Sequence, residues 1–401
     1  METFEYRDEE MWCEGVPVAR VAGEVGTPVY VYSKSAIVQR FRSVMRAWPE
    51  RRRPTIAYSM RANSCKALLR ILCAEEAWVS VQSGGEMMQA FLSGFSPGRI
   101  VYSGMGKTDD ELRLALTKEI YLVVADTRSD LDRLARLSQE LGTPIRTSIR
   151  VHPISGKEPG KIGIPLPHAA EVFRHAAEIE GLEVIGIHHH IGRYFPETGP
   201  FLDALKETLA LVDRLSAAGV VLTILDFGGS AGRLYDQPDF CTAVAQEVGS
   251  RPLRIILEPG RSLVASTGVL LTRVHLIKES AEKRFIVTDA SMSDLATPAL
   301  LQWYHDVRPV RRFEPPAEPL YDVVGPLFEP VDHLATGRAL AGTVPGDLLA
   351  VMDAGAYGLA LASNYCLRPR PPEVMVDGEA FRIVRRREAF QDMVRTEMDV
   401  D

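Results

Sequence analysis

The residues able to do chemistry collect where short apolar runs stop. The run TIAYS (55–59) ends at Met60-Arg61-Ala62-Asn63, placing a guanidinium at the exit of a strand. Arg61 stays protonated and offers no lone pair for covalent chemistry, but it can clamp a carboxylate or phosphate with two parallel hydrogen bonds. WVSVQ (78–82) ends at Ser83-Gly84-Gly85-Glu86, RIVY (99–102) at Ser103-Gly104, and RTSIRV (146–151) carries Arg150 with His152 beyond it. EVIGIH (183–188) runs into His188-His189-His190, LTILDF (222–227) into Gly228-Gly229-Ser230, and RIILEP (254–259) into Gly260-Arg261 through Glu258 and Pro259. Glycines such as Gly228 and Gly229 let backbone N–H groups approach an anion closely, although a plain tight turn uses the same residues. Glu258 can accept from a protonated ring nitrogen or take part in an ion pair at a turn. On a strand His188 and His190 share one face and His189 takes the other. The pair could bind a divalent metal with His152 as a third ligand, could include a histidine stacked on a flat aromatic ligand, or could be core. HExxH and CxxC are absent.

These residues need a scaffold that brings strand ends together. Eight apolar runs, the seven above and IYLVVA (120–125), alternate with helical segments. In FLDALKETLALVDRLSAAG, Leu202, Leu205, Leu209, Val212 and Leu215 recur on one helical face. Eight βα units in succession predict a parallel (β/α)8 barrel over residues 33–265, with an open doubly wound sheet as the competing arrangement. In a barrel the chemistry sits at the C-terminal strand ends. Beyond about residue 262, GVLLTRVHLIKES, RFIVTDAS, YDVVGP, LLAVMDAG, EVMVDG and FRIVRRR are strands without regular helices between them. They predict a second, mostly antiparallel β domain built from 1–32 and 266–401.

Bulk properties exclude several roles. The chain has 401 residues, 46% hydrophobic and 25% charged, with a net charge of −7. A mildly acidic chain without blocks of like charge argues against nucleic acid as partner, and Arg51-Arg52-Arg53 reads as a solvated turn. No apolar run reaches the roughly 18 residues of a membrane span, and METFEYRDEEMW lacks an apolar signal core. Five cysteines in no recognisable pattern suit a reduced, cytoplasmic protein.

The longer motifs carry a family resemblance. GTPVYVYS, SGGE, YSGMGKTDDEL, HHIGR, DFGGSAG, EPGRSLVASTGVLLTRV, DASMSDLATPAL, YDVVGPLFEPVD and DAGAYGLALASNYCLRPRPPEV run almost end to end. Together they resemble the pyridoxal-phosphate-dependent decarboxylases of the alanine-racemase-type barrel fold, with diaminopimelate decarboxylase nearest and ornithine and arginine decarboxylases as relatives. The resemblance implies pyridoxal 5'-phosphate as cofactor, an amino-acid-like substrate, and a homodimer whose β domains complete the neighbour's site. It implies that His190 stacks on the cofactor ring, Glu258 pairs with the pyridine nitrogen, and Glu86 orients the histidine. Gly228, Gly229, Gly260, Arg261 and Tyr357 become the phosphate cradle, joined by Ser230 and Arg193 at family phosphate positions. Glu329 and Asp332 keep the acidic positions of a Cys-Glu-Ser-Gly-Asp segment, and Arg150, Thr297 and Phe328 fall to the substrate.

The same resemblance exposes departures. The family reads Tyr-Ala-x-Lys-Ala-Asn and its lysine forms the Schiff base; here that position is Arg61. The segment's cysteine is Phe328, a substrate-carboxylate arginine is Thr297, a tyrosine is Leu301, the serine after His-Ile-Gly is Arg193, the third turn glycine is Ser230, and a strand-two aspartate is Ser80. Lys66 follows too far along a helix to replace the lysine, and Lys107 and Lys161 occupy ordinary family positions. The expectation is a decarboxylase-like protein with a non-covalently held cofactor. The alternatives are an inactive homologue that only binds or regulates, with the cofactor held or lost, and a cofactor-independent barrel enzyme for an anionic substrate.

Overall fold

The computed structural model describes residues 3–152, 162–189, 197–229, 231–280, 283–313 and 318–398. The chain divides into two compact units, residues 40–262 and residues 1–39 with 263–401.

The first unit holds eight parallel strands: β1 (Thr55–Ser59), β2 (Trp78–Val81), β3 (Ile100–Tyr102), β4 (Leu122–Ala125), β5 (Ile145–His152), β6 (Leu182–His189), β7 (Ile224–Asp226) and β8 (Arg254–Leu257). Neighbours pair in sequence order, β4 pairs β5, and β8 pairs β1, so the sheet closes on itself. Closure decides between the two arrangements that the apolar runs allowed: this is a (β/α)8 barrel. A two-residue strand, Ile164–Pro165, adds to β5.

Helices follow the strands: α1 (Lys66–Ala74), α2 (Gly84–Ser93), α3 (Asp109–Thr117), α4 (Arg128–Leu141), α5 (Leu166–Ala177), α6 (Thr198–Ala217) and α7 (Pro238–Val248). Their starts are written locally. Thr108 caps α3 in a reciprocal box with Glu111, and Ser83 and Thr127 cap α2 and α4. On α6 the buried set includes Leu205, Leu209, Val212 and Leu215, the stripe that the 3.6-residue period predicts.

Strand alternation sorts the barrel interior into layers. At the N-terminal end the Arg254 guanidinium lies 4.5 Å from the Trp78 ring centre and 5.9 Å from that of Tyr121. Above it Ala57, Val101, Leu122, Val124, Ile224 and Ile256 form an apolar plug. One residue pair further along the same faces come Ser80, Ser103, Asp126, Asp226 and Glu258, with Arg150 and His188 in register beside them. The polar layer is thus the C-terminal continuation of the core.

The second unit is a mixed, mostly antiparallel sheet. Gly268–Glu279 is its spine, pairing with Arg284–Thr288, Val29–Ser33 and Leu348–Val351. Leu320–Val324 and His333–Ala339 extend one side, and Glu373–Asp377 with Ala380–Arg385 the other. A separate three-stranded sheet takes Phe4–Arg7, Glu10–Cys13 and Val16–Pro17. The strand Val29–Ser33 is buried at all five positions because it is central.

Candidate functional site

The candidate residues divide between the two units. Those of the barrel unit meet in the polar layer.

Arg61 lies in the single 3-10 turn Met60–Ala62 that follows β1. The turn is held by its neighbours: the Tyr58 hydroxyl donates to the Asn63 carbonyl at 3.0 Å, and Ser59 N donates to the Pro259 carbonyl at 3.1 Å. Met60 and Ala62 are buried while Arg61 is exposed, and its charge acts on Glu86, Arg150 and Glu258.

Glu86 is the third residue of α2. Its N–H donates to the capping Ser83 hydroxyl at 3.2 Å and its carboxylate accepts from Gln82 N at 2.7 Å. Burial lifts its pKa above the ordinary range, against the Gln82 N–H and Arg61. Gly84 N is taken by Glu111 from α3 at 2.7 Å.

The turn after β7 is shaped by two glycines. Gly228 sits at φ +57 and donates its N–H to Asp226 Oδ1 at 2.8 Å, and a Cβ on Gly229 would come within 2.8 Å of the Glu258 carbonyl. Tyr235 secures the turn by donating to the Gly228 carbonyl at 2.8 Å. Gly260 and Arg261 follow Glu258, and Arg261 opens the short helix Arg261–Val264.

Glu258, His188 and Asp226 stand together and are almost fully buried. His188 Nε2 lies 3.6 Å from Glu258 Oε2 and 4.0 Å from Asp226 Oδ1. Burial would raise Glu258, but His188, the Ser80 hydroxyl and Arg61 bring it below the ordinary value. Burial and then the charge of Glu258 push Asp226 well up. One nitrogen or oxygen from each of the three lies within 4.8 Å of the others; His152, which a metal reading of the histidine run would enlist, is not part of that group.

Further round the layer, Lys107 donates to the Val124 carbonyl at 2.6 Å and stands 3.9 Å from Asp126, which Arg150 approaches at 4.0 Å. Burial lowers the Lys107 pKa, with Asp126 opposing.

His189 faces the helices, as alternation requires. Its Nδ1 lies 2.6 Å from Thr208 Oγ1, and Thr208 donates its own proton to the Ala204 carbonyl at 3.0 Å, so His189 is the donor. Phe201 and Phe227 each pack on it edgewise at 5.9 Å, and burial lowers its pKa to about 3. It is a core histidine. His190, Arg193 and Ser230 lie outside the described residues.

In the β unit, Asp332 accepts backbone N–H groups of Met292 at 2.7 Å and Leu327 at 2.8 Å. Glu329 accepts from the Tyr365 hydroxyl, and Phe328 beside it is 97% exposed. Thr297 is fully buried and donates to His305 Nε2 at 2.8 Å, because His305 Nδ1 is committed to the Met352 carbonyl. Tyr357 adopts φ +57 and its ring meets Trp303 edge-on at 5.4 Å.

Sequence reasoning passed over Asp126 and Asp226. Each is the polar residue that closes an apolar run at the pleat position facing the barrel interior; that parity was the available signal.

Comparison with known proteins agrees with this architecture. The pyridoxal binding domain of the pyridoxal-dependent decarboxylases matches residues 34–265. Diaminopimelate decarboxylase of Pseudomonas aeruginosa is 41% identical, covering 98% of this chain and 98% of its own. That of Aquifex aeolicus is 35% identical over 99% of this chain and 98% of its own. The crystal structure of AQ1208 from Aquifex aeolicus superposes with a TM-score of 0.93 at 35% identity, covering 99% of this chain and 98% of that one. Diaminopimelate decarboxylase from Helicobacter pylori, complexed with L-lysine, gives 0.88 at 32% identity over 95% and 99% of the two chains.

Proposed function

The chain belongs to the pyridoxal-dependent decarboxylase family, and from that premise we propose that it acts on an amino acid or amino-acid-derived substrate with pyridoxal 5'-phosphate held without a covalent bond to the protein. The observation that carries the second half is Arg61.

Among the described barrel residues, Glu258, Gly228 and Gly229 suit the cofactor, and the tether position does not. Glu258 Oε1 is buried with no hydrogen-bond partner among the described residues, as an acceptor kept for a ring N–H would be. The Gly228-Gly229 turn leaves no room for a side chain at 229 and suits close approach of a phosphate. When bound, the cofactor supplies an electron sink for the negative charge left on loss of a carboxylate. Glu258 would keep the ring nitrogen protonated, Gly228, Gly229, Gly260 and Arg261 would receive the phosphate, and Glu86 would orient the histidine that the resemblance stacks on the ring. Position 61 does not suit a covalent bond. Its guanidinium instead holds the substrate carboxylate by a bidentate pair, or the anion that develops in its place. Without a lysine to speed exchange of amines, turnover is slow. A homodimer is the assembly proposed here, and sedimentation tests it.

Titration of the purified protein with pyridoxal 5'-phosphate, followed by borohydride and intact-mass measurement, tests the proposal. The expected result is saturable binding with no mass added, and a covalent adduct appearing in Arg61→Lys together with faster release of carbon dioxide from an amino acid. An adduct on the unaltered protein, or failure to bind, overturns it. Binding in both proteins with no carbon dioxide from either favours a second reading, which the inability of Arg61 to form an imine supports: a homologue that binds and does not turn over.

A further inference from the structure

Two carboxylates and one imidazole share the floor of the polar layer, and their surroundings are unequal. Among the described residues Asp226 has one hydrogen-bond donor, the Gly228 N–H at 2.8 Å, and its buried Oδ2 has none. Glu258 has His188 Nε2 at 3.6 Å, the Ser80 hydroxyl from β2, and the charge of Arg61 beyond β1. Both carboxylates are at least nine-tenths buried, so two adjacent negative charges there are costly. The other charges around the layer, Arg150 from β5 and the Lys107–Asp126 pair, do not reverse the inequality: Arg150 acts on both carboxylates, and Lys107 is engaged with the Val124 carbonyl.

We propose that His188 is a positioning residue that decides which of these two carboxylates is the anion: Glu258, with Asp226 as its neutral neighbour. The inference deepens the reading given above and rests on it for the purpose of the anion, which is to meet the cofactor's ring nitrogen. The anion then stands at the residue that ends β8, and the proton at the residue that shapes the glycine turn after β7. The polarity comes from the placement of His188 on β6: it reaches both partners, but lies closer to Glu258.

Infrared difference spectra of the cofactor-free protein near pH 7 test this without depending on the cofactor. Removing Glu258 as Glu258→Gln should delete an ionised carboxylate signal, and Asp226→Asn should delete a protonated carboxyl signal. In a His188→Leu background the Glu258→Gln substitution should no longer delete the ionised signal, whereas a His188→Gln background, which keeps an N–H donor, should retain the original assignment. Binding of pyridoxal 5'-phosphate should weaken about tenfold or more in His188→Leu, and His188→Leu/Glu258→Gln should bind no more weakly than Glu258→Gln alone. An ionised Asp226 in the unaltered protein, unchanged signals in His188→Leu, or losses in affinity that multiply would each overturn the proposal. If the unaltered protein binds no cofactor, the functional reading fails while the spectra still judge the role of His188. Should His188→Leu not fold, the two carboxylate variants and His188→Gln decide the matter.

Discussion

Buried carboxylates occur in both units, and they are treated in opposite ways. In the β unit Asp289 receives Thr272 Oγ1 at 2.6 Å and Arg273 N at 2.9 Å on one oxygen and Thr27 Oγ1 at 2.5 Å on the other. Asp332 has a backbone N–H on each oxygen. In the barrel, both oxygens of Asp126, one of Asp226 and one of Glu258 are buried without a hydrogen-bond partner among the described residues. A buried acceptor left unmet costs about 1–3 kcal/mol, which makes this layer a place where a bound group can contribute hydrogen bonds. The satisfied carboxylates hold loops in place; the unsatisfied ones are stored acceptors. Glu329 breaks the division, since its Oε2 is also unmet among the described residues, and it is a candidate site residue.

The largest test of this contrast is Asp332→Ala. It leaves the Met292 and Leu327 N–H groups without their acceptor, and a loss of about 2–6 kcal/mol should appear in denaturant unfolding. A loss under 1 kcal/mol would erase the distinction. Next comes acid sensitivity in the barrel. His189 is held neutral down to about pH 3 in the fold, against an ordinary value near 6.5. The unfolded chain therefore binds the extra proton first, and stability falls as pH drops from about 6.5 towards 3. The share from one histidine is about 1.4 kcal/mol per pH unit. His189→Gln should flatten the stability profile across that window; an unaltered slope would show that His189 is not the group titrating.

Asp226→Asn should behave unlike Asp332→Ala. The folded pKa of Asp226 is raised, so its stabilising share is full below about pH 3.9 and fades as pH rises through the folded value. Asparagine cannot ionise and keeps the acceptor for Gly228 N–H. The variant should match the parent within about 1 kcal/mol at pH 4 and exceed it at pH 8; a variant less stable at pH 8 would place Asp226 among the loop-holding carboxylates. The smallest effect belongs to Lys66→Ala. This lysine is exposed at the first position of α1, and its removal should change unfolding free energy by less than about 0.5 kcal/mol and leave cofactor affinity unaltered. A weakened affinity would give Lys66 a part in holding the cofactor.

The barrel was legible because each inner strand is a compact apolar run: TIAYS and β1 have the same limits, and the other seven differ by a residue or two at an end. Short strands such as Phe4–Arg7, Val307–Pro309 and Ile164–Pro165 were not, since each is too brief to set a period. Within the site, Arg61, Glu86 and Glu258 announced themselves by type at a strand end. Asp226 did not, because an aspartate just ahead of two glycines also fits a turn; parity along its run hinted at the inward face, and register with His188 on β6 establishes it. The two histidines of β6 were separable by parity alone, but that His189 is core needed Thr208 and Phe201, which lie on α6.

The turn that carries Arg61 is fastened through the carbonyl of Asn63, the N–H of Ser59 and the buried flanks of Met60 and Ala62, contacts that any residue at position 61 would leave in place. Arginine and lysine codons can differ by a single base. A one-letter change in the gene could therefore decide whether this turn presents a guanidinium or an amine.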